Sequence, residues 1–220
     1  MTKLKICGLK DLPHAISAAE AGADFLGFVF VPGVRRQLQE DQARNIIQEF
    51  RQLTSIQKPR LVGLFANQPL EEVKRILDYC DLDMAQLCGD ELPDYWQQVN
   101  RPVIKQVKVK DTAPREGTIA IVTQQAYEIV SRGHICLLDN YEDGTLGGSG
   151  QRFDWDIAAD VAKRFPIVLA GGLTPANVQQ AISTIHPWGV DVSSGVETNG
   201  VKDVSKIEAF AEAVLQADKA

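Results

Sequence analysis

The stretch that decides the fold is PIVLAGGLTPANVQQAISTIHPWGVDVSSGV, residues 166–196. It opens on a continuously apolar run, Ile167 to Ala170, that breaks at Gly171 and Gly172. Thr174 followed by Pro175 reads as a helix cap with proline in the first turn, leading to Val178, Ala181 and Ile182 on one face. A second run from Gly189 ends on Ser193, Ser194 and Gly195. The order is strand, glycine turn, helix, strand, small-residue turn. Runs that are apolar throughout, rather than alternating, suit a parallel sheet covered by helices.

Outward from this unit the pattern repeats. Further strand candidates start at Leu4, Phe25, Arg60, Met84, Pro102 and His134. Asp11 caps a helix carrying Leu12, Ala15, Ile16 and Ala19, which stops at Gly22. Ala43, Ile46, Ile47 and Phe50 make a helical face. Asn67 and Pro69 start a helix bearing Val73, Ile76 and Leu77, and Val204, Ile207, Phe210, Ala211 and Val214 mark the last one. A short helix is expected near Pro93–Val99, and TQQAYEIVSR, residues 123–132, holds the fifth. Eight strand–helix units in 220 residues give about 27 residues each, the size of a compact (β/α)8 barrel in one α/β domain spanning residues 1–220. An open doubly wound sheet is the rival. It more often stops at five or six strands and carries its glycine-rich loop after the first. Here the glycine-rich loops come late.

A net charge of -6 argues against bulk binding of nucleic acid, which needs a basic stripe. No apolar run is long enough to span a membrane, and the start, MTKLKICGLK, lacks the apolar middle of a signal peptide. The four cysteines show no C-x-x-C spacing, so no metal cluster or disulfide framework is expected, and a cytoplasmic setting fits.

In a (β/α)8 barrel the active site lies at the carboxyl ends of the strands. The residues ending the strands are Cys7, Arg35 and Arg36, Asn67, Cys88, Asp139, Gly171 and Gly172, then Ser193, Ser194 and Gly195. Glycine and serine turns after strands seven and eight fit a phosphate site, with residues 195–199 supplying a short extra helix. Cys80 and Cys136 read as core. Cys7 reads equally as core or as a reactive thiol, with Lys5 and Lys10 close in sequence. Asp139 reads as a cap or as an acid in the barrel mouth. Arg35 and Arg36 read as a solvated pair, or one of them as a fork for a substrate carboxylate.

KICGLKD, GADFLGFVFVPGVRR, LLDN with GGSGQRFDW, AGGLTPANV and DVSSGVE together resemble the phosphoribosylanthranilate isomerase family of tryptophan biosynthesis, from Lys5 to at least Asp203. The resemblance implies a (β/α)8 barrel with no cofactor and no metal, acting on a small phosphorylated substrate as a monomer or homodimer. It implies an Amadori rearrangement with Cys7 as general base and Asp139 as general acid. Arg36 would bind the anthranilate carboxylate. Gly171, Gly172, Ser193, Ser194 and Gly195 would bind phosphate, with Asp191 and Cys88 near the substrate. The base is then expected to be a thiol moderately lowered from about 8.5, and the acid a carboxyl raised from about 3.9 by burial. Two positions depart from the family pattern near the anthranilate pocket. Cys88 stands where the family commonly has histidine, and Gln37 where an aromatic is frequent. Two rivals remain: an isomerase that also accepts a bisphosphorylated aminoaldose, and a catalytically silent phosphate-binding barrel.

Overall fold

The computed structural model describes residues 1–53, 58–109, 114–140 and 155–219, and of Asn140 the backbone only. Eight parallel strands pair in sequence order: β1 (Lys3–Cys7), β2 (Phe25–Val29), β3 (Arg60–Phe65), β4 (Met84–Leu87), β5 (Val103–Val109), β6 (Ile135–Asn140), β7 (Ile167–Leu169) and β8 (Gly189–Val192). β8 pairs back onto β1, with Lys5 opposite Asp191, so the sheet closes into a barrel rather than staying open. Helices α1 (Leu12–Glu20), α2 (Glu40–Gln52), α3 (Leu70–Tyr79), α4 (Pro93–Gln98), α5 (Arg115–Ser131), α6 (Trp155–Ala162), α7 (Val178–Ile185) and α8 (Val204–Ala217) follow the strands in turn.

Both faces of the strands are buried, which is why their sequences run apolar without a break. Alternation is still present in space. Leu4, Ile6, Leu26, Phe28, Leu138, Leu169, Val190 and Val192 pack outward against helices. Cys7, Phe25, Val29, Val62, Leu64, Met84, Cys88, Ile104, Leu137 and Val168 fill the barrel interior. A strand sends successive side chains to opposite faces, so Lys5, Gln86, Gln106, Asp139 and Asp191 share the inner parity. All five are buried. The barrel is thus filled by apolar side chains with a polar layer on top, and that layer sets the site.

Four local expectations are corrected. α7 begins at Val178 with Asn177 as its N-cap residue, not at Thr174. The Asn177 side chain accepts from the Thr174 N–H and donates to the Gly172 carbonyl, so residues 174–177 form a turn tied to the glycine pair. α3 begins at Leu70, and Asn67 does not cap it. Asn67 adopts a left-handed conformation and its Oδ1 accepts from the Asp90 N–H. Residues 195–199 form no extra helix beyond one 3-10 turn, Ser194–Val196. The chain then makes a hairpin, β9 (Glu197–Thr198) with β10 (Val201–Lys202), around left-handed Asn199 and Gly200. Such a pair is the signature of a tight hairpin turn. Lastly, α5 starts at Arg115, eight residues before TQQAYEIVSR. It buries only Thr118, Val122, Ala126 and Ile129, a stripe too narrow to stand out in the sequence.

Candidate active site

Cys7 ends β1, and the chain turns at once through Gly8 at φ +77°. A Cβ on Gly8 would lie 2.5 Å from Arg36 Cδ and 3.2 Å from Ser193 Oγ. Glycine is therefore needed there for backbone conformation and for room. Across the barrel, Asp139 lies near the end of β6 and accepts a 2.6 Å hydrogen bond from Gln106 Nε2. Cys7, Arg36, Gln86, Cys88, Gln106, Asp139, Asp191 and Ser193 line one cavity of about 100 Å³ at the strands' carboxyl ends. A larger cavity of about 560 Å³ lies beside it between the ends of β4 and β5 and helix α5, and among the described residues shares only Gln106 with the first. The smaller one gathers the chemistry.

The expected lowering of the Cys7 thiol is corrected. Burial pushes it above its ordinary value, and the neighbouring Lys5 ammonium offsets this only in part. Lys5 is fully inside, its Nζ 2.9 Å from Asp191 Oδ1. Burial alone would lower the Lys5 ammonium, but Asp191 and the Cys7 sulfur outweigh it and hold the lysine charged. The register places Gly27 opposite Cys7, and a Cβ there would lie 3.1 Å from Cys7 Sγ and 3.2 Å from Lys5 Nζ. The missing side chain on β2 is the space the thiol and ammonium share. Lys10, the other nearby lysine in sequence, is exposed and donates to the Arg35 carbonyl.

Cys88 also lines the cavity, and burial pushes its thiol up to about 12 despite a 3.4 Å contact from Gln86 Nε2. Gln37 does not line it. Its Oε1 accepts from the Gly33 N–H, 2.9 Å away, and so closes the loop after β2. Cys80 and Cys136 are buried core residues. GGSGQRFDW lies outside the described residues up to Asp154.

The two late turns come together. A Cβ on Gly195 would overlap the Leu173 carbonyl, so the loop after β8 packs directly on the loop after β7. Gly171 and Gly172 are both left-handed, at φ 86° and 66°. Among the described residues, no acceptor is recorded for the N–H groups of Gly171, Gly172 and Gly195. Ser193 Oγ bonds the Cys7 carbonyl at 3.2 Å, and Lys202 Nζ donates to the Ser193 carbonyl at 2.8 Å.

Arg35 and Arg36 are not a solvated pair. Both reach Glu197 in the loop after β8: Arg35 Nη2 at 2.6 Å, Arg36 Nε at 2.7 Å and Arg36 Nη2 at 3.1 Å. Lys202 Nζ is a third cation, 3.0 Å from Glu197 Oε1. Burial would raise the Glu197 carboxyl, but hydrogen bonds from Arg36, Arg35 and Lys202 outweigh it and pull it down to about 2. Lys5, Gln86, Gln106, Glu197 and Lys202 were not assigned as site residues from sequence. Strand parity could have found the first three; Glu197 and Lys202 depend on the hairpin.

A closed barrel with a thiol, a carboxyl and a guanidinium around one mouth cavity defines the class, a (β/α)8-barrel enzyme. The sequence profile of the family described as N-(5'-phosphoribosyl)anthranilate (PRA) isomerase matches residues 4–213. A relative from Dehalococcoides mccartyi, named N-(5'-phosphoribosyl)anthranilate isomerase, is 44% identical over 218 residues, covering 99% of this chain and 98% of that one. The crystal structure of phosphoribosyl anthranilate isomerase from Thermotoga maritima is 34% identical with a TM-score of 0.84, covering 98% of this chain and 100% of that one. A solved phosphoribosyl anthranilate isomerase in complex with reduced 1-(o-carboxyphenylamino)-1-deoxyribulose 5-phosphate is 32% identical, with a TM-score of 0.80 and the same coverage. The chain belongs to the phosphoribosylanthranilate isomerase family.

Proposed function

We propose that this chain converts N-(5'-phosphoribosyl)anthranilate to 1-(2-carboxyphenylamino)-1-deoxyribulose 5-phosphate in tryptophan biosynthesis, by general acid–base catalysis. The observation that carries this reading is the shared cavity: Cys7 and Asp139 face it from β1 and β6, with Arg36 and Ser193 on its rim. The solved relative named with a reduced carboxyphenylamino-deoxyribulose phosphate supports the choice of substrate.

In this reading Asp139, protonated, donates its proton to the ring oxygen. The C1–O bond breaks and the nitrogen lone pair forms a cationic imine. Cys7, as thiolate, removes the proton from C2. The C–H electrons form the C1–C2 double bond and the imine electrons return to nitrogen, giving an enolamine. Its hydroxyl proton leaves, C1 gains a proton, and a ketone stands at C2. The elevated free-state thiol is compatible with this order. The imine cation generated in the first step favours the thiolate needed in the second. Lys5, already charged beside Cys7, acts in the same sense. The Gln106 amide suits an acid that changes protonation state, because rotation exchanges its donor N–H for its acceptor oxygen. That oxygen is buried with no recorded partner among the described residues.

Arg36 takes the anthranilate carboxylate, and the turns at Gly171–Gly172 and Ser193–Gly195 take the phosphate. Holding both ends keeps C2 near Cys7 after the ring opens. A second phosphate is disfavoured, since the Asn67 and Gly89 N–H groups after β3 and β4 already donate to Glu91.

The test is turnover in the coupled fluorescence assay for phosphoribosylanthranilate disappearance. Cys7→Ala and Asp139→Asn are each expected to cut kcat by about 10²–10⁴-fold while binding the reduced product analogue nearly as tightly. Near-normal turnover in Cys7→Ala would remove the thiol from the base role.

A further inference from the structure

We infer that Glu197 is a positioning residue that sets the specificity of the mouth for a carboxylate-bearing ligand, by holding one edge of the Arg36 guanidinium so that its other edge faces the cavity. The inference rests on the reading of Arg36 as the carboxylate-binding residue and deepens it.

A guanidinium offers two forks. One is formed by Nε with Nη2, the other by Nη1 with Nη2. Glu197 fills the first: its Oε1 accepts from Nε and its Oε2 from Nη2. Both Nη1 protons and one Nη2 proton remain, and no partner for Nη1 is recorded among the described residues. Arg36 lines the cavity that holds Cys7 and Asp139, so the remaining fork is the one a substrate carboxylate can meet. A carboxylate in that fork would make the paired, charge-assisted contact for which arginine is suited.

Three features argue that Glu197 presents the arginine rather than quenching it. First, the charge does not balance. Arg35, Arg36 and Lys202 all reach this one carboxylate, so the cluster keeps an excess of positive charge for an anion. Second, the glutamate is fixed from behind. Its side chain is 6% exposed, and its backbone carbonyl accepts from Lys206 Nζ at 2.8 Å. Third, Gly8 leaves the space into which the Arg36 stem is laid. The fork direction is thus built by β1, β2 and the β8 loop together.

The phosphate end has separate support. Lys202 holds the Ser193 carbonyl as well as Glu197 Oε1, and an amide oxygen in Glu197→Gln can still accept from it; Lys206 holds the Glu197 carbonyl. A change confined to that side chain should therefore act on one end of the ligand.

The experiment measures dissociation constants of two probes by calorimetric titration. One is the reduced carboxyphenylamino-deoxyribulose phosphate, with carboxylate and phosphate. The other is ribose 5-phosphate, with phosphate alone. Glu197→Gln is expected to weaken the first by about tenfold or more, the size of a lost charge-assisted contact, and the second by less than about twofold. In an Arg36→Ala background the same substitution should have no further effect on the first probe. Glu197→Asp, which keeps the charge but shortens the reach, should fall between.

Equal losses for both probes would overturn the inference, since Glu197 would then only support the loop. So would unchanged or tighter carboxylate binding, which would make Glu197 a competitor for Arg36. If Arg36→Ala itself spares carboxylate binding, the underlying reading fails and this one with it. If Arg36→Ala loses it and Glu197→Gln does not, only the inference fails. Retained ribose 5-phosphate affinity reports that each variant is folded.

Discussion

Two glutamates, Glu91 and Glu197, each tie loops together at the barrel mouth, and they are built differently. Glu91 takes the Asn67 N–H at 2.8 Å, the Gly89 N–H at 3.3 Å and one cation, Lys105, at 2.8 Å. Lys105 in turn donates to the Gly89 carbonyl at 2.6 Å. Charge is balanced, the Glu91 and Lys105 side chains are 2% and 8% exposed, and most contacts go to backbone. Glu197 instead collects three cationic side chains, two of which line the cavity. One clamp is electrically closed, holds mainly backbone and borders the larger cavity. The other is left short of negative charge and faces the place where an anionic ligand would sit. What separates the two clamps is thus the balance of charge, not the burial of an ion pair.

That contrast can be broken most severely at Glu91. Lys105→Met leaves a buried carboxylate without its cation and should cost about 3–5 kcal/mol of stability in urea unfolding. Ligand affinity of the protein that remains folded should be unchanged. A ligand-binding defect with normal stability would reverse the roles assigned to the two clamps.

Gly8→Ala should do the opposite. The added methyl meets Arg36 Cδ at 2.5 Å in a left-handed backbone. It should raise KM about tenfold by displacing the guanidinium, with about 1–2 kcal/mol lost from stability. A change in stability alone would show that Arg36 relaxes without losing its aim.

A further effect is expected in acid. The Glu197 carboxyl is held near about 2 in the folded protein, below its ordinary value of 4.5. A carboxyl lowered by folding contributes stability that is present above the ordinary value and lost as pH falls toward the lowered one. The melting temperature should therefore fall between about pH 4.5 and pH 2, and Glu197→Gln should flatten part of that slope. An unchanged slope would mean that the cations hold Glu197 no better in the folded chain than in the unfolded one.

The barrel was legible because eight apolar runs and their intervening helical faces recur at a nearly constant spacing, and strand placement follows local pattern. That Cys7 and Asp139 stand at the barrel mouth was legible because each lies at or near the end of such a run. The hairpin after β8 was also written in the sequence as Thr198-Asn199-Gly200-Val201, yet it was read as part of a helix because phosphate sites of barrels often use one. Thr174 was read as the cap of α7, but the Asn177 side chain bonds Thr174 and Gly172, and the helix starts only after Asn177. Neither Lys5 nor Gln106 was singled out, because the face of a polar strand residue shows only by its parity with a neighbour already placed inside, Cys7 for Lys5 and Ile104 for Gln106.

By itself, the sequence determined the number and positions of the strands, the class of fold and most of the residues at the strand ends, since these follow from periodicity and turn chemistry along the chain. Only the tertiary structure decided the state of those residues. Whether Cys7 is lowered or raised depends on burial against Lys5, on the same strand, and Asp191, which stands 186 residues after Lys5 on the strand that closes the barrel. Whether Arg36 is solvated or aimed depends on Glu197, 161 residues further along. Electrostatic interactions depend on distance through space and on the exclusion of water, and neither quantity is written in the spacing of residues along a chain.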